Sequence, residues 1–148
     1  MLGVSRPMVE SLKHILTKQT GGATMAGEMT IEILDDFANG WNEHDLDKLM
    51  SFMTQDCVFE LSAGPEAWGA RFEGYDNVRE GYKRVLDMFP DGQWAEPSHF
   101  IAGDRGVTQW TFRATGADGA QVEVKGCDLF HFEGDKIRVK NSFRKIRS

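Results

Sequence analysis

The run Lys125-Gly126-Cys127-Asp128-Leu129-Phe130-His131-Phe132-Glu133-Gly134-Asp135-Lys136-Ile137-Arg138-Val139 constrains this chain more than any other. Residues 127–132 are rich in aromatics, Glu133-Gly134-Asp135 supplies a reversal, and an alternating run begins at Ile137. The segment therefore reads as a strand, a tight turn and a second strand. Side chains alternate across a strand, so Asp128 shares a face with Gly126, Phe130 and Phe132. An unpaired charge on an apolar face costs several kcal/mol or forces the group to stay protonated. Two readings follow. Asp128 occupies an edge position, bonded to a neighbouring loop or an arginine, or it is an acid or base at the floor of an apolar pocket.

A chain of 148 residues holds one domain with its own core. With 41 % hydrophobic and 27 % charged residues it has the balance of a globular protein. Its net charge of −6 argues against a nucleic-acid backbone or an anionic membrane as main partner. No apolar run approaches the ~20 residues of a membrane span. Cys57 and Cys127 lack C-x-x-C spacing, which speaks against a zinc site or a disulfide scaffold. The expectation is free thiols in a reducing cytoplasm, with a bridge between the two left open.

Residues 1–28 differ from the rest and read as an extension, with a domain over 29–148. Leu12, Ile15 and Leu16 fit two helical turns, and Thr20-Gly21-Gly22-Ala23-Thr24 has linker composition. Thr30 is an N-cap candidate, followed by the helical stripe Ile33, Leu34, Phe37 and Trp41. Asp45 caps a short second helix with Leu46, Leu49, Met50 and Phe52 buried. Asp56–Leu61 is a strand with Cys57, Phe59 and Leu61 on one face, and 62–74 a loop. A third helix, capped by Asp76, runs to Phe89 with Val78, Tyr82, Val85 and Leu86 at helical spacing, stopped by Pro90-Asp91-Gly92. Strands over 94–102, 107–115, 120–132 and 136–145 are joined by Gly-Asp turns. Helices in front and an antiparallel meander behind predict an α+β domain, a curved sheet whose concave face the helices close.

That order, with Trp41-Asn42-Glu43-His44-Asp45-Leu46-Asp47-Lys48-Leu49 at the helix junction, resembles the SnoaL-like branch of the nuclear-transport-factor-2-like superfamily. Asp56, Phe72-Glu73-Gly74, Val78-Arg79, Tyr82, Gly103-Asp104-Arg105, Trp110-Thr111 and Gly126-x-Asp128-x-Phe130-x-Phe132 with Lys136-Ile137 carry the likeness over residues ~30 to 145. The resemblance implies a cone-shaped α+β barrel: three N-terminal helices on a strongly curved, mainly antiparallel sheet. It also implies an apolar pocket for a small hydrophobic molecule and a homodimer through the outer sheet face. The superfold hosts isomerases, cyclases, epoxide hydrolases and non-catalytic binders. Their acid–base chemistry uses a pocket carboxyl and no cofactor. Asp128 matches the oxyanion-hole carboxylic acid of the isomerases and resembles the general-base aspartate of the cyclases. Leu61 stands where the isomerases carry their proton-shuttling aspartate, and Phe37 where they carry the oxyanion-hole tyrosine. Ketosteroid isomerase activity is accordingly not expected. Lys140-Asn141-Ser142 replaces the arginine–aspartate pair of the epoxide hydrolases.

The candidate catalytic residues are Asp128 and His99, which could couple as acid and base because neutral imidazole works near physiological pH. Phe37, Trp41, Phe59, Leu61, Tyr82, Trp110 and Phe130 are candidate ligand-binding walls, with Tyr82 the polar one because a buried hydroxyl needs a partner. His131 alternates to the opposite face, and His44 bonds locally at the helix junction. Arg113 or Arg71 could neutralise Asp128. Arg138, Lys140 and Arg144 share one face of the last strand, with Ile137, Val139 and Phe143 on the other. That basic face is either solvated or a pocket lining attractive to an anion. No metal-ligand spacing, phosphate loop or nucleophile setting is found. Two functions remain open: cofactor-independent isomerase, cyclase or lyase chemistry at Asp128, or a non-catalytic binding or dimeric accessory domain. A role with partner proteins through the outer face is a third.

Overall fold

The computed structural model describes residues 27–148; the helical turns expected around Leu12 to Leu16 lie outside them. Helix α1 spans Ile31–Glu43, and the Thr30 side chain caps it by accepting from the Ile33 N–H. Its apolar stripe buries Leu34, Phe37 and Trp41. His44, at φ 56°, ends the helix in the left-handed region, and Asp45 caps α2 (Leu46–Ser51) through the Lys48 N–H. Strand β1 (Met53–Glu60) starts three residues ahead of the expected Asp56. The segment expected as loop holds a short strand, β2 (Arg71–Glu73), antiparallel to β1. Helix α3 spans Tyr75–Met88, and its cap is Gly74 at φ 86°, not Asp76. The backbone there takes a conformation that only glycine enters freely.

The rest is a meander: β3 (Gln93–Ala102), β4 (Arg105–Thr115), β5 (Gln121–Glu133) and β6 (Lys136–Arg144). The sheet order is β2-β1-β6-β5-β4-β3, with β1 parallel to β6 and every other pair antiparallel. The result is the expected α+β cone: three helices on a curved six-stranded sheet, open at the β2 and β3 edges.

Two irregularities decide which residues enter the cone. In β3, Ala95 pairs with Thr111 and Ser98 with Gln109, so Glu96 and Pro97 together face one residue. Glu96 sits at φ 56°, a bulge that turns the strand. In β6, Phe132 pairs with Ile137 but His131 with Val139, leaving Arg138 as the extra residue. Without that bulge the turn register would set Asp128 opposite Asn141. With it Asp128 faces Ser142 and Phe130 faces Lys140. The division of β6 expected from plain alternation is thereby corrected. Ile137, Lys140 and Ser142 are buried together on the inner side, whereas Phe143 is 50 % exposed.

The helix junction is fixed to the sheet by polar bonds. Asn42 accepts from the Trp94 N–H (2.7 Å) and donates to the Trp94 carbonyl (3.0 Å). The His44 ring bonds the Gly92 carbonyl at 2.7 Å. These contacts seat Trp94 against Trp41, with ring centroids 5.0 Å apart. The core beneath is aromatic: Phe37, Phe59, Tyr82 and Phe130 are all buried. Cys57 is buried on the inner face of β1, and burial pushes its thiol up to about 11. Cys127 lies on the outer face of β5, opposite Gln109 and Phe143. Both thiols are free, so the bridge left open by the sequence is not made.

Asn42→Ala removes both bonds to Trp94 while leaving the apolar contacts. We expect it to lower the unfolding free energy by about 1–3 kcal/mol with an unchanged m-value in urea. A loss below about 0.5 kcal/mol, the lower end for one hydrogen bond, would mean that aromatic packing alone fixes the junction.

Candidate functional site

Asp128 is 6 % exposed and Lys140 5 % exposed, side by side on the inner face of the sheet. The Lys140 ammonium lies 3.1 Å from Asp128 Oδ1 and donates to Ser142 Oγ at 2.8 Å. Ser142 donates to the same carboxylate oxygen at 2.6 Å. Asp128 Oδ2 accepts from the Trp110 indole N–H at 3.0 Å. The sequence makes this last bond possible through Gly126, the β5 partner of Trp110. A Cβ at Gly126 would lie 2.3 Å from the indole Cη2, so only glycine lets the ring lie across β5 and reach Asp128.

The other side of the ammonium is aromatic. Lys140 Nζ lies 4.8 Å from the ring centroids of Trp41 and Phe59 and 5.8 Å from that of Tyr82. Cations are attracted to such faces. Burial lowers the Lys140 pKa below the ordinary lysine value, and the nearby Asp128 carboxylate opposes that shift. Removing two ions from water costs several kcal/mol each. Their attraction at this distance is about 5 kcal/mol at an effective dielectric near 20. The two effects nearly cancel, so net stability is a poor explanation for placing the pair here.

Two adjoining cavities flank the pair. The smaller, about 20 Å³, lies at the floor between Leu34, Phe37, Pro97, Asp128 and Phe130. It has room for one water. The larger, about 110 Å³, is bounded by Phe59, Leu61, Phe89, Phe112, Ser142 and Arg144 and reaches the surface beside exposed Met88. Trp41, Trp94, Trp110 and Lys140 wall both.

The expected wall residues thus divide. Phe37, Trp41, Trp110 and Phe130 bound the floor, while Phe59 and Leu61 join Trp41 and Trp110 around the larger space. Tyr82 stands behind them, fully buried, its hydroxyl donating to Met53 Sδ at 3.3 Å. Burial raises that phenol well above its ordinary pKa. His99 bonds Thr108 Oγ1 through Nδ1 (2.7 Å) and Asp35 through Nε2 (2.8 Å), with no hydrogen bond to Asp128. Thr108, the β4 partner of Asp128, stands between them in the ladder. Neither expected arginine neutralises Asp128. Arg113 pairs with Glu96 and Glu123, and Arg71 pairs with Glu60 over the Trp68 ring. The neutralising cation is Lys140, which unbroken alternation along β6 would group with Arg138 and Arg144. Among the described residues no group of three or more His, Cys, Asp or Glu is placed to hold a metal ion. No described helix is long and apolar enough to cross a membrane.

Solved structures share this architecture. A nuclear-transport-factor-2-like protein of unknown function from Mesorhizobium loti is 25 % identical, with TM-score 0.64 over 78 % of this chain and 89 % of that one. A proposed polyketide cyclase from Acidithiobacillus ferrooxidans is 22 % identical, with TM-score 0.64 over 79 % and 92 %. TerC, co-crystallised with polyporic acid, is 19 % identical, with TM-score 0.65 over 78 % and 90 %. No curated protein matches the sequence. At these identities the structural likeness speaks for the fold. The family follows from the sequence: the SnoaL-like domain model matches residues 34–139, and the chain belongs to that family.

Proposed function

We propose that this protein holds a small, apolar, oxygen-bearing molecule inside the cone. There the Asp128–Lys140 pair moves a proton on it without a cofactor, in an isomerase, cyclase or lyase type of reaction. The observation that carries this reading is the convergence of a carboxylate, an ammonium, a hydroxyl and an indole N–H: Lys140, Ser142 and Trp110 line the larger aromatic-walled cavity, and Asp128 borders the small floor space adjoining it. A few convergent polar groups in an apolar pocket are the usual form of a small-molecule site. Asp128 Oδ2 accepts one bond, from Trp110, and a carboxylate oxygen has a second lone pair with which to take a proton. The Lys140 ammonium supplies positive charge for an oxyanion forming on the ligand. In this reading His99 supports the floor through Thr108 and does not react.

A second reading, a ligand-binding or accessory domain without chemistry, has its own support. Three donors hold Asp128, and the space at its side admits only a water.

The two differ in hydrogen exchange at carbon. With 1-indanone in D2O, followed by proton NMR, catalysis predicts accelerated loss of the α-hydrogens. Asp128→Asn should slow it on the order of a hundredfold or more. Indanone binding with no exchange above that of the variant would leave the second reading. Removing one charge of a buried pair costs about 3–5 kcal/mol, so circular dichroism must show that the variant is folded. The double variant Asp128→Asn/Lys140→Met, which buries no lone charge, is the back-up.

We also propose a homodimer through the outer sheet face. Phe100 and Phe143 are 59 % and 50 % exposed on that face, on either side of half-buried Val107, Cys127 and Leu129. Light scattering should give twice the 16.7 kDa chain mass, and Phe143→Asp should give the monomer. A monomeric wild type at micromolar concentration would overturn the assembly.

A further inference from the structure

We infer that the molecule bound in the cone is an acid, its anionic group held at the cavity mouth by Arg144. This rests on the reading of the cone as a ligand site and specifies the ligand class. The bulge at Arg138 sorts the three basic residues of β6 into different roles. Arg138 is the bulge residue itself, and Lys140 is neutralised by Asp128. Arg144 follows Lys140 and Ser142 along the inner face and lines the larger cavity. Its guanidinium lies over the rings of Phe89 and Phe112, 5.5 and 5.2 Å from their centroids.

Among the described residues no carboxylate lies within ion-pair distance of Arg144, Arg105, Arg138 or Arg147, whereas Arg71, Arg79, Arg84 and Arg113 each have one; of the four without, only Arg144 lines the larger cavity. Partial burial lowers its pKa without any compensating acid. A desolvated cation without a counter-ion is costly in the free protein, and an arriving anion offsets that cost. Around the cavity Lys140 and Asp128 cancel, so Arg144 leaves the lining net positive in a chain of net charge −6. Surface charges beyond about 8–10 Å are screened at physiological salt, so the local charge governs what enters.

The chemistry of the walls sets the remainder of the ligand. Trp41, Phe59, Trp94 and Phe112 present flat apolar faces around about 110 Å³, a space suited to one ring. The indole N–H of Trp41, which walls the cavity, has no hydrogen-bond partner among the described residues, and a ligand oxygen would supply one. The fitting class is a compact aromatic or conjugated carboxylic acid, body inward and carboxylate at the guanidinium fork.

Benzoate and its neutral isostere benzyl alcohol serve as probes, read by quenching of the cavity tryptophans and by calorimetry. Benzoate should bind at least tenfold tighter than benzyl alcohol and weaken as sodium chloride is raised. Arg144→Met, which keeps an apolar stem of similar reach, should weaken benzoate at least tenfold and leave benzyl alcohol within twofold. That unchanged alcohol affinity also reports that the variant's cavity is intact. Equal affinities for the two probes, or benzoate binding indifferent to Arg144→Met, would overturn the acid while leaving the cone a binding site. Failure of both probes to bind the wild type would remove the site reading and this inference with it.

Discussion

One unpaired residue in β6 determines the chemistry of the cone. The turn at Gly134-Asp135 starts the hairpin in one register, and the bulge at Arg138 shifts it by one before the strand reaches the interior. Because the side-chain period of a strand is two, that shift exchanges the faces. Lys140, Ser142 and Arg144 turn inward, and Val139 and Phe143 outward. Asp128 acquires its cation and its hydroxyl donor from this single displacement, which also brings Arg144 into the lining of the larger cavity. A regular hairpin would have faced the carboxylate with an amide and set a phenylalanine inside.

The interior that results combines costly polar groups with aromatic surfaces that lower the cost. Trp41, Phe59 and Tyr82 offer their faces to the Lys140 ammonium where water would otherwise solvate it. Asp128 receives hydrogen bonds on both oxygens. A buried network in which the members are satisfied specifies one arrangement of its surroundings. The rigidity matters for a site, because groups held by packing need not be ordered when a ligand arrives.

Much of this is legible in the sequence. The Trp41-Asn42-Glu43-His44-Asp45 junction, the Gly-Asp turns and the alternating runs specify the element order. Asp128 stands out through alternation alone, a carboxylate in line with Phe130 and Phe132. Lys140 does not stand out, for a physical reason. Alternation along 136–145 assumes an unbroken ladder, and nothing in Ile137-Arg138-Val139 marks a bulge as a glycine or proline would. The short strand at Arg71–Glu73 and the glycine cap at Gly74 are hidden similarly, since both depend on pairing with β1 rather than on local composition. The division of the wall residues, with Tyr82 behind and Leu61 at the larger cavity, depends on helix placement that periodicity does not encode.

The bulge in β3 has a consequence for how this molecule meets its neighbours. β3 is an edge strand, and edge strands invite another chain to add to the sheet. Here the edge carries a residue in the left-handed region followed by Pro97, which has no N–H to offer. At the opposite edge β2 is only three residues long. Neither rim offers a long regular template for a strand from another molecule, so sheet extension and the aggregation that follows from it are blunted at both ends.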